Sequence, residues 1–501
     1  MLDLRPAMSE SAADRRGVPP NRLAWGLAGV FFALYCCVSV LRYRRMVSQG
    51  YDLGIFEEAV RAYAHGRAPI VALKGPGYNL LGDHFHPVLV LLAPFYRVFP
   101  SALTLLVAQA ALMALAVVPL TRWAHEVRGP RTALLVGCLV GASWGIVKAV
   151  SDDFHEIAFA VPLLAFAATA LGHRRWRAAT LWSLPLLLVK EDQGLTVAAV
   201  GGYIAWQGWK AGGGRQAGRR EQGGREQGAR ERSGLRWWGL GLAVVGLAGT
   251  AVEVLVLLPA MNPHGTFDYM NQLPGGGAGA GLGGAGGGLP HALLHLGWPP
   301  VKWLLLFLLA APTGFLCLRT PLALLCLPTL AWRLLSDNPH YWGVSYHYSA
   351  VLMPLVFAAM IDALDRLPAR SGKRGLAVGA LVTAVTIPLY PLHEVVMPSA
   401  WSVSPRVAEA RRLLARIPDG ATVAASNHLS AQLTHRDTVS LVCQPQGPTQ
   451  TRPQWVVADL TDPSVKVPCA VADTDRLLAE YRADGYRPVV DQDGFVLLRR
   501  P

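Results

Sequence analysis

Charge is what this chain has least of. Only 16% of its 501 residues are Asp, Glu, Lys or Arg, against about a quarter in soluble domains. That shortage excludes a water-soluble surface wrapped around one large core. Apolar residues fill the gap, at 52% of the total with a mean hydropathy of +0.31. Metal-type and redox-type cysteine spacing is missing as well: none of the seven cysteines stands in a CxxC pair or a zinc pattern. Cys36, Cys37, Cys138, Cys317 and Cys326 fall inside apolar runs and read as packing residues. Cys443 and Cys469 lie in a polar segment, where an oxidising compartment would allow one disulfide. No small-residue cleavage site follows the first apolar run, which reaches Leu41 and then "RYRR". It reads as a retained anchor. Architectural repeats are absent too, since "REQG" at 220–223 and 225–228 is only a local echo.

What is present is a series of apolar blocks of about 20 residues, the length a helix needs to cross hydrocarbon. Spans are expected near 22–41, 101–121, 131–150, 156–172, 178–190, 194–209, 236–259, 299–318, 321–335, 346–362 and 375–391. The net charge of +13 does not call for nucleic acid. Its Lys and Arg sit in "RWAHEVRGPR", "HRRWR", the 210–235 loop and "DRLPARSGKRG", as the positive-inside rule requires. Placing all four inside needs a cytoplasmic tail over 1–21 and about eleven crossings of the cell membrane. "HPVLVLLAPFYRVFP" must then not cross. Bracketed by Pro87 and Pro100 and carrying Arg97, it reads as a re-entrant or surface-lying helix.

With that topology the acids and histidines gather on one outer face. The first external loop (42–100), "SDDFHE", "KEDQG", the loop from Met261 to Trp298 and "SDNPHYWGVSYHYS" all fall there. So does 392–501, whose pattern turns soluble and predicts a small extracytoplasmic α/β domain. Its "YRPVVDQDGFVLLRR" reads as a hairpin about Asp-Gly. Of two low-complexity stretches, the basic 210–235 loop reads as disordered and cytoplasmic, and the glycine run 275–288 as a flexible external linker. The fold class is an α-helical polytopic membrane protein with a C-terminal α/β domain, the membrane domain covering 22–391.

Five constellations carry candidate chemistry. In "YDLGIFEEAV", Leu53, Phe56, Val60 and Tyr63 form one apolar stripe, so an interfacial helix showing Glu57, Glu58 and Arg61 to water is expected. Asp52 either caps that helix or serves as a general base. His84 and His86 of "GDHFHP" are candidate substrate or metal contacts, or simply a polar lip. Asp152, Asp153, His155 and Glu156 crowd one turn, where mutual repulsion raises at least one carboxyl pKa. Lys190, Glu191 and Asp192 close a span and either pair with one another or face a polar cavity. Of the aromatic run, His340, Tyr341 and Tyr346 are candidate sugar contacts, with an interface belt as the plainer reading.

Taken together, Tyr51-Asp52 after the first span, "HFHP", "DFHE" before the fourth span and "KED" resemble an uncharacterised prokaryotic family of polytopic membrane proteins, a domain of unknown function related to the GT-C glycosyltransferases. The resemblance covers most of 22–391 and extends weakly to "VAASNHLSAQLTHR". It implies a GT-C-like membrane domain, a polyprenyl-phosphate sugar donor, and catalytic carboxylates at Asp52 and at Asp153 or its neighbour Asp152. The usual Asp-Glu pair of that first loop is Tyr-Asp here. No cofactor is expected; a divalent cation is allowed but not required. The expected partners are the lipid bilayer and the lipid-linked sugar. Two other classes stay open, a transporter or flippase and a non-catalytic membrane protein. Against transport, the acids sit at outer span ends and Glu253 is the one deep carboxylate. A shared cavity would favour the transferase, and scattered acids the non-catalytic protein.

Overall fold

The structure, a computed structural model, describes residues 19–213, 222–269, 296–444, 452–461 and 471–501. Among these, Pro20–Arg44, Ala102–Arg128, Pro130–Ser151, Ser233–Met261 and His347–Arg366 are helical stretches long and apolar enough to cross a bilayer. At 1.5 Å per residue, Pro20–Arg44 rises about 37 Å, more than the hydrocarbon thickness. Other apolar helices are shorter or interrupted. Pro185 ends the helix Trp176–Ser183 and forces a 3-10 turn at Leu184–Leu188. Pro312 does the same after Val301–Ala310.

Position in the bundle follows residue size and polarity. Met353 to Leu364 is buried on every side, as a helix apolar on every face but for Asp362 must be. Gln193–Gly213 and Gln222–Val252 lie backbone to backbone. A Cβ on Gly201 would stand 2.5 Å from the Ala243 nitrogen, so only glycine permits that approach. Pro87–Val98 is among the shorter apolar helices and packs on the first external loop, burying Leu89, Leu92 and Tyr96 while Val90, Leu91, Phe95 and Val98 stay exposed.

The C-terminal domain is built on a five-stranded sheet in the order β2-β1-β3-β5-β4. The strands are β1 (Thr422–Ala425), β2 (Thr438–Leu441), β3 (Trp455–Asp459), β4 (Arg487–Gln492) and β5 (Phe495–Arg499). β2, β1 and β3 run parallel, and β5 turns back antiparallel beside β3. The hairpin turns at Asp493 and Gly494, both with positive φ, which suits a primed turn. β2 was not expected: "TVSL" alternates, burying Val439 and Leu441, but at four residues it is too short to stand out.

One apolar cluster joins this domain to the first external loop. Leu53, Phe56 and Val60 of that loop pack with Leu413, Leu429, Leu433, Val439 and Phe495. Each fully buried side chain of this size contributes about 1.5–3 kcal/mol. The seam corrects one expectation: Glu57 and Glu58 do not face water but are buried. Glu57 accepts hydrogen bonds from Tyr96 at 3.0 Å and Thr434 at 2.5 Å, and Glu58 from the Leu73 amide at 3.2 Å. The apolar stripe is right, but the flank that carries the acids is covered as well, by Thr434 of the C-terminal domain and Leu73 of the loop itself.

Of the 210–235 loop expected to be disordered, residues 214–221 lie outside the described residues, and the flanking residues belong to the helices Gln193–Gly213 and Gln222–Val252. The loop's Arg, Glu, Gln and Ala are good helix formers. Residues 1–18, the glycine run 275–288 and Cys469 lie outside the described residues. Cys443 is disulfide-bonded.

Candidate functional site

Asp52 sits in a wide helical turn, Gly50–Gly54, that precedes the helix Ile55–Ala64. It makes no capping bond, so the N-cap reading falls. The turn is clamped from the C-terminal domain. Gly50 packs against Ser430, where any Cβ would collide with its hydroxyl. Asn427 accepts from the Tyr51 amide at 2.8 Å and donates to the Gln49 side chain at 3.0 Å. Asp52 is thereby aimed into a cavity of about 970 Å³ between the bundle end and the domain.

The "SDDFHE" turn supplies the facing wall. Asp153 adopts a left-handed backbone with φ of 58°, tolerated by Asp, and accepts from the Gln49 amide at 2.9 Å. Gln109 braces the turn, donating to the Asp153 carbonyl and accepting from the His155 amide at 3.0 Å. Asp152 is saturated with donors: Lys148 at 3.3 Å, the His347 amide at 3.0 Å and the His347 ring at 3.3 Å. His155 and His347 stack at 3.4 Å, and His155 Nε2 lies 3.8 Å from Asp52 Oδ1.

Electrostatics separates these carboxyls. Burial in the cavity wall, then the charges of Asp153 and Asp152, push Asp52 well above the usual carboxylate range. Burial lifts Asp153 to about 6 against the bonds from Ser48 and Gln49. Asp152, more enclosed than Asp52, is nevertheless held below its ordinary value by His347 and Lys148. Burial keeps the His155 ring neutral, with its pKa lowered to about 3. The site thus holds one firm anion and two carboxyls that carry protons more readily.

Of the residues singled out from sequence, Asp52, Asp152, Asp153, His155, His340, Tyr341 and Tyr346 line this cavity. His84, His86, Glu156, Lys190, Glu191 and Asp192 do not. They form a buried layer behind it. Lys190 pairs with Glu156 at 2.9 Å, His84 with Glu191 at 2.7 Å, and Asp192 accepts from Trp332 at 3.1 Å. His86 is buried against Phe56. Pairing compensates the buried charges of Lys190, Glu156 and Glu191, while Nδ1 of His86 and Oδ1 of Asp192 have no hydrogen-bond partner among the described residues. His84 comes closest to the cavity, stacked at 4.5 Å on Tyr269, which lines it.

Several lining residues escaped sequence reading. His347 lay within a quoted segment without being chosen, whereas Tyr348 of the same aromatic run, by sequence a belt or sugar-wall residue, does line the cavity. Arg42 and Arg45, at the end of the first span, share Glu394 as their ion-pair partner. The C-terminal domain adds Arg406, Asn427, His428, Asp459 and Thr461. Asn427 and Asp459 stand at the carboxyl ends of β1 and β3, at the crevice where the strand order reverses and open α/β sheets bind ligands. The weak likeness at "SNHLS" was the available signal for two of them. Among the described residues, no group of three or more His, Cys, Asp and Glu is placed to hold a metal ion.

The molecule is thus a multi-pass membrane protein whose inter-span loops and C-terminal α/β domain enclose one polar cavity. Over residues 42–497 the chain matches the family described as "Predicted membrane protein (DUF2079)", and it belongs to that family. Among curated proteins nothing matches it. Among solved structures, ArnT from Cupriavidus metallidurans in the apo state is similar, with 14% identity and a TM-score of 0.49 over 95% of this chain and 98% of that one.

Proposed function

We propose that this protein is an integral membrane glycosyltransferase, moving a sugar from a polyprenyl-phosphate donor to an acceptor at the outer membrane face. The observation that carries the reading is the gathering of Asp52, Asp152, Asp153 and His155 with the aromatic wall of His340, Tyr341 and Tyr346 on one cavity of about 970 Å³. That volume suits a sugar with its linked groups. Aromatic faces stack on a pyranose ring while the acids and imidazoles fix its hydroxyls.

Asp52 is the general base. Its raised pKa makes it a stronger proton acceptor than an ordinary carboxylate. The acceptor hydroxyl gives its proton to Asp52 as its oxygen bonds to the anomeric carbon. The bond from that carbon to the phosphate oxygen breaks, and its electron pair leaves with polyprenyl phosphate. Asp153 and the neutral His155 ring position Asp52 and tune its basicity. Arg42 and Arg45 stand at the membrane edge of the cavity, where exchange of Glu394 for phosphate would hold the donor. Lys190 and Glu156 support this wall from behind.

The test is Asp52→Asn in proteoliposomes supplied with polyprenyl-phosphate sugars. Transfer is expected to fall by about 10²–10⁴-fold. Undiminished turnover would remove Asp52 from the chemistry.

A further inference from the structure

A second cavity, of about 460 Å³, lies at the opposite end of the bundle. The helices Ala160–Gly172, Gln193–Gly213 and Met353–Arg366 each begin beside the first site, after Glu156, Asp192 and His347 respectively, and their far ends wall this one. Its lining is charged and aromatic in a specific arrangement. Asp362 is 5% exposed; its Oδ1 accepts from Arg366 at 2.8 Å, while its Oδ2 has no partner. A buried carboxylate oxygen left unpaired is costly and marks a place for a donor. Arg174, Lys210 and Arg366 stand exposed around the mouth, and Lys210 lies 4.2 Å over the Trp206 ring. Trp209, Trp237 and Trp238 are exposed at the same end, as in the tryptophan belt that marks the headgroup layer.

A ligand that fits must offer an anion to three cations at the rim and an N–H or O–H donor to a carboxylate one short arm further in. A phosphodiester with an ethanolamine arm does both. A choline headgroup carries the same phosphate but has no N–H to give Asp362. We propose that this cavity binds the headgroup of an ethanolamine phospholipid, its phosphate against Arg174, Lys210 and Arg366 and its ammonium on Asp362. The site is independent of the transferase reading, and no residue of the first cavity takes part.

The experiment uses the full chain, purified from vesicles of equimolar ethanolamine, choline and glycerol phospholipids, with retained lipid counted by native mass spectrometry. The ethanolamine lipid is expected in roughly ten-fold excess over the choline lipid. The rim variant Arg174→Gln/Lys210→Gln, which leaves the buried carboxylate alone, lowers that retention by about ten-fold. Asp362→Asn, compared at equal thermal midpoint, brings the ethanolamine lipid down to the level of the choline lipid. Equal retention of the two lipids by the unmodified chain overturns the proposal, and so does a rim variant that retains as much as the parent. Displacement by millimolar glycerophosphoethanolamine would replace the lipid with a soluble phosphodiester and overturn the membrane assignment.

Discussion

Two carboxylates on opposite walls of the large cavity, Asp459 and Asp52, are treated in opposite ways. On the domain side, Asp459 receives Arg406 in a two-pronged pair, His428 at 3.4 Å, and the Thr461 amide and hydroxyl at 2.9 and 3.0 Å. Burial pushes its pKa upward, but the donors from His428, Arg406 and Thr461 prevail and hold it below the ordinary range. On the membrane side, Asp52 keeps 46% of its side chain open to the cavity, with the His155 ring at 3.8 Å and like charges nearby. A carboxylate whose lone pairs are filled is part of the architecture. One left with few donors is free to take a proton from something else.

The contrast is broken most decisively by exchanging the effects of matched substitutions. Asp52→Asn is expected to cost the 10²–10⁴-fold in transfer given above while leaving thermal stability unchanged or raised, because a like-charge contact disappears. Lys190→Met is expected to act through folding alone. It strands Glu156, 2% exposed, without its cation, and breaking such a buried pair costs about 3–5 kcal/mol. Urea titration of the purified chain reads that loss, and Lys190→Met/Glu156→Gln should recover much of it. If the double variant is stable yet has lost affinity for the donor, Lys190 is a phosphate ligand after all.

Asp459→Asn comes next in size. Removing charge from a carboxylate with four donors should cost about 1.5–3 kcal/mol, read as a lower unfolding midpoint with transfer per folded molecule retained. A loss of turnover equal to that of Asp52→Asn, in protein still folded, would erase the distinction between the walls.

How much of this was visible in the sequence depends on what imposes each feature. The bilayer demands about 20 apolar residues per crossing, so the long spans and the short Pro87–Val98 segment could be read directly. Counting crossings led to the expectation that Asp52, Asp153 and His155 share one face, and the three do line one cavity. Side-chain partners could not be read in that way. Glu57 and Glu58 looked solvated because their cover comes from Thr434 and its neighbours, almost 400 positions later in the chain. Lys190 reads in sequence as pairing with its own neighbours or facing a cavity, and its actual partner Glu156 lies 34 positions earlier in the chain. Asn427, His428 and Asp459 reach the cavity only through a sheet whose second strand is four residues long. The period of a pattern reports which face is apolar and says little about what will cover the other.

The smallest expected effect sharpens the comparison through pH. Burial raises Glu57 and Glu58 to about 7, so between their ordinary value and pH 7 the folded chain binds more protons than the unfolded one. The seam between the first external loop and the C-terminal domain is therefore firmest in acid and weakens as pH rises through 7. Asp459 has the opposite sign: its contribution is present above the ordinary carboxylate range and is lost on acidification, so it adds no slope between pH 5 and 8. Thermal unfolding across that window should show midpoints falling toward pH 8, by about 2 °C per carboxylate. Glu57→Gln/Glu58→Gln should flatten the curve, since glutamine keeps the contacts to Tyr96 and Leu73 without titrating. An unaltered slope in that variant would assign the pH response elsewhere, with Asp153, raised to about 6 on the cavity wall, the next group to replace.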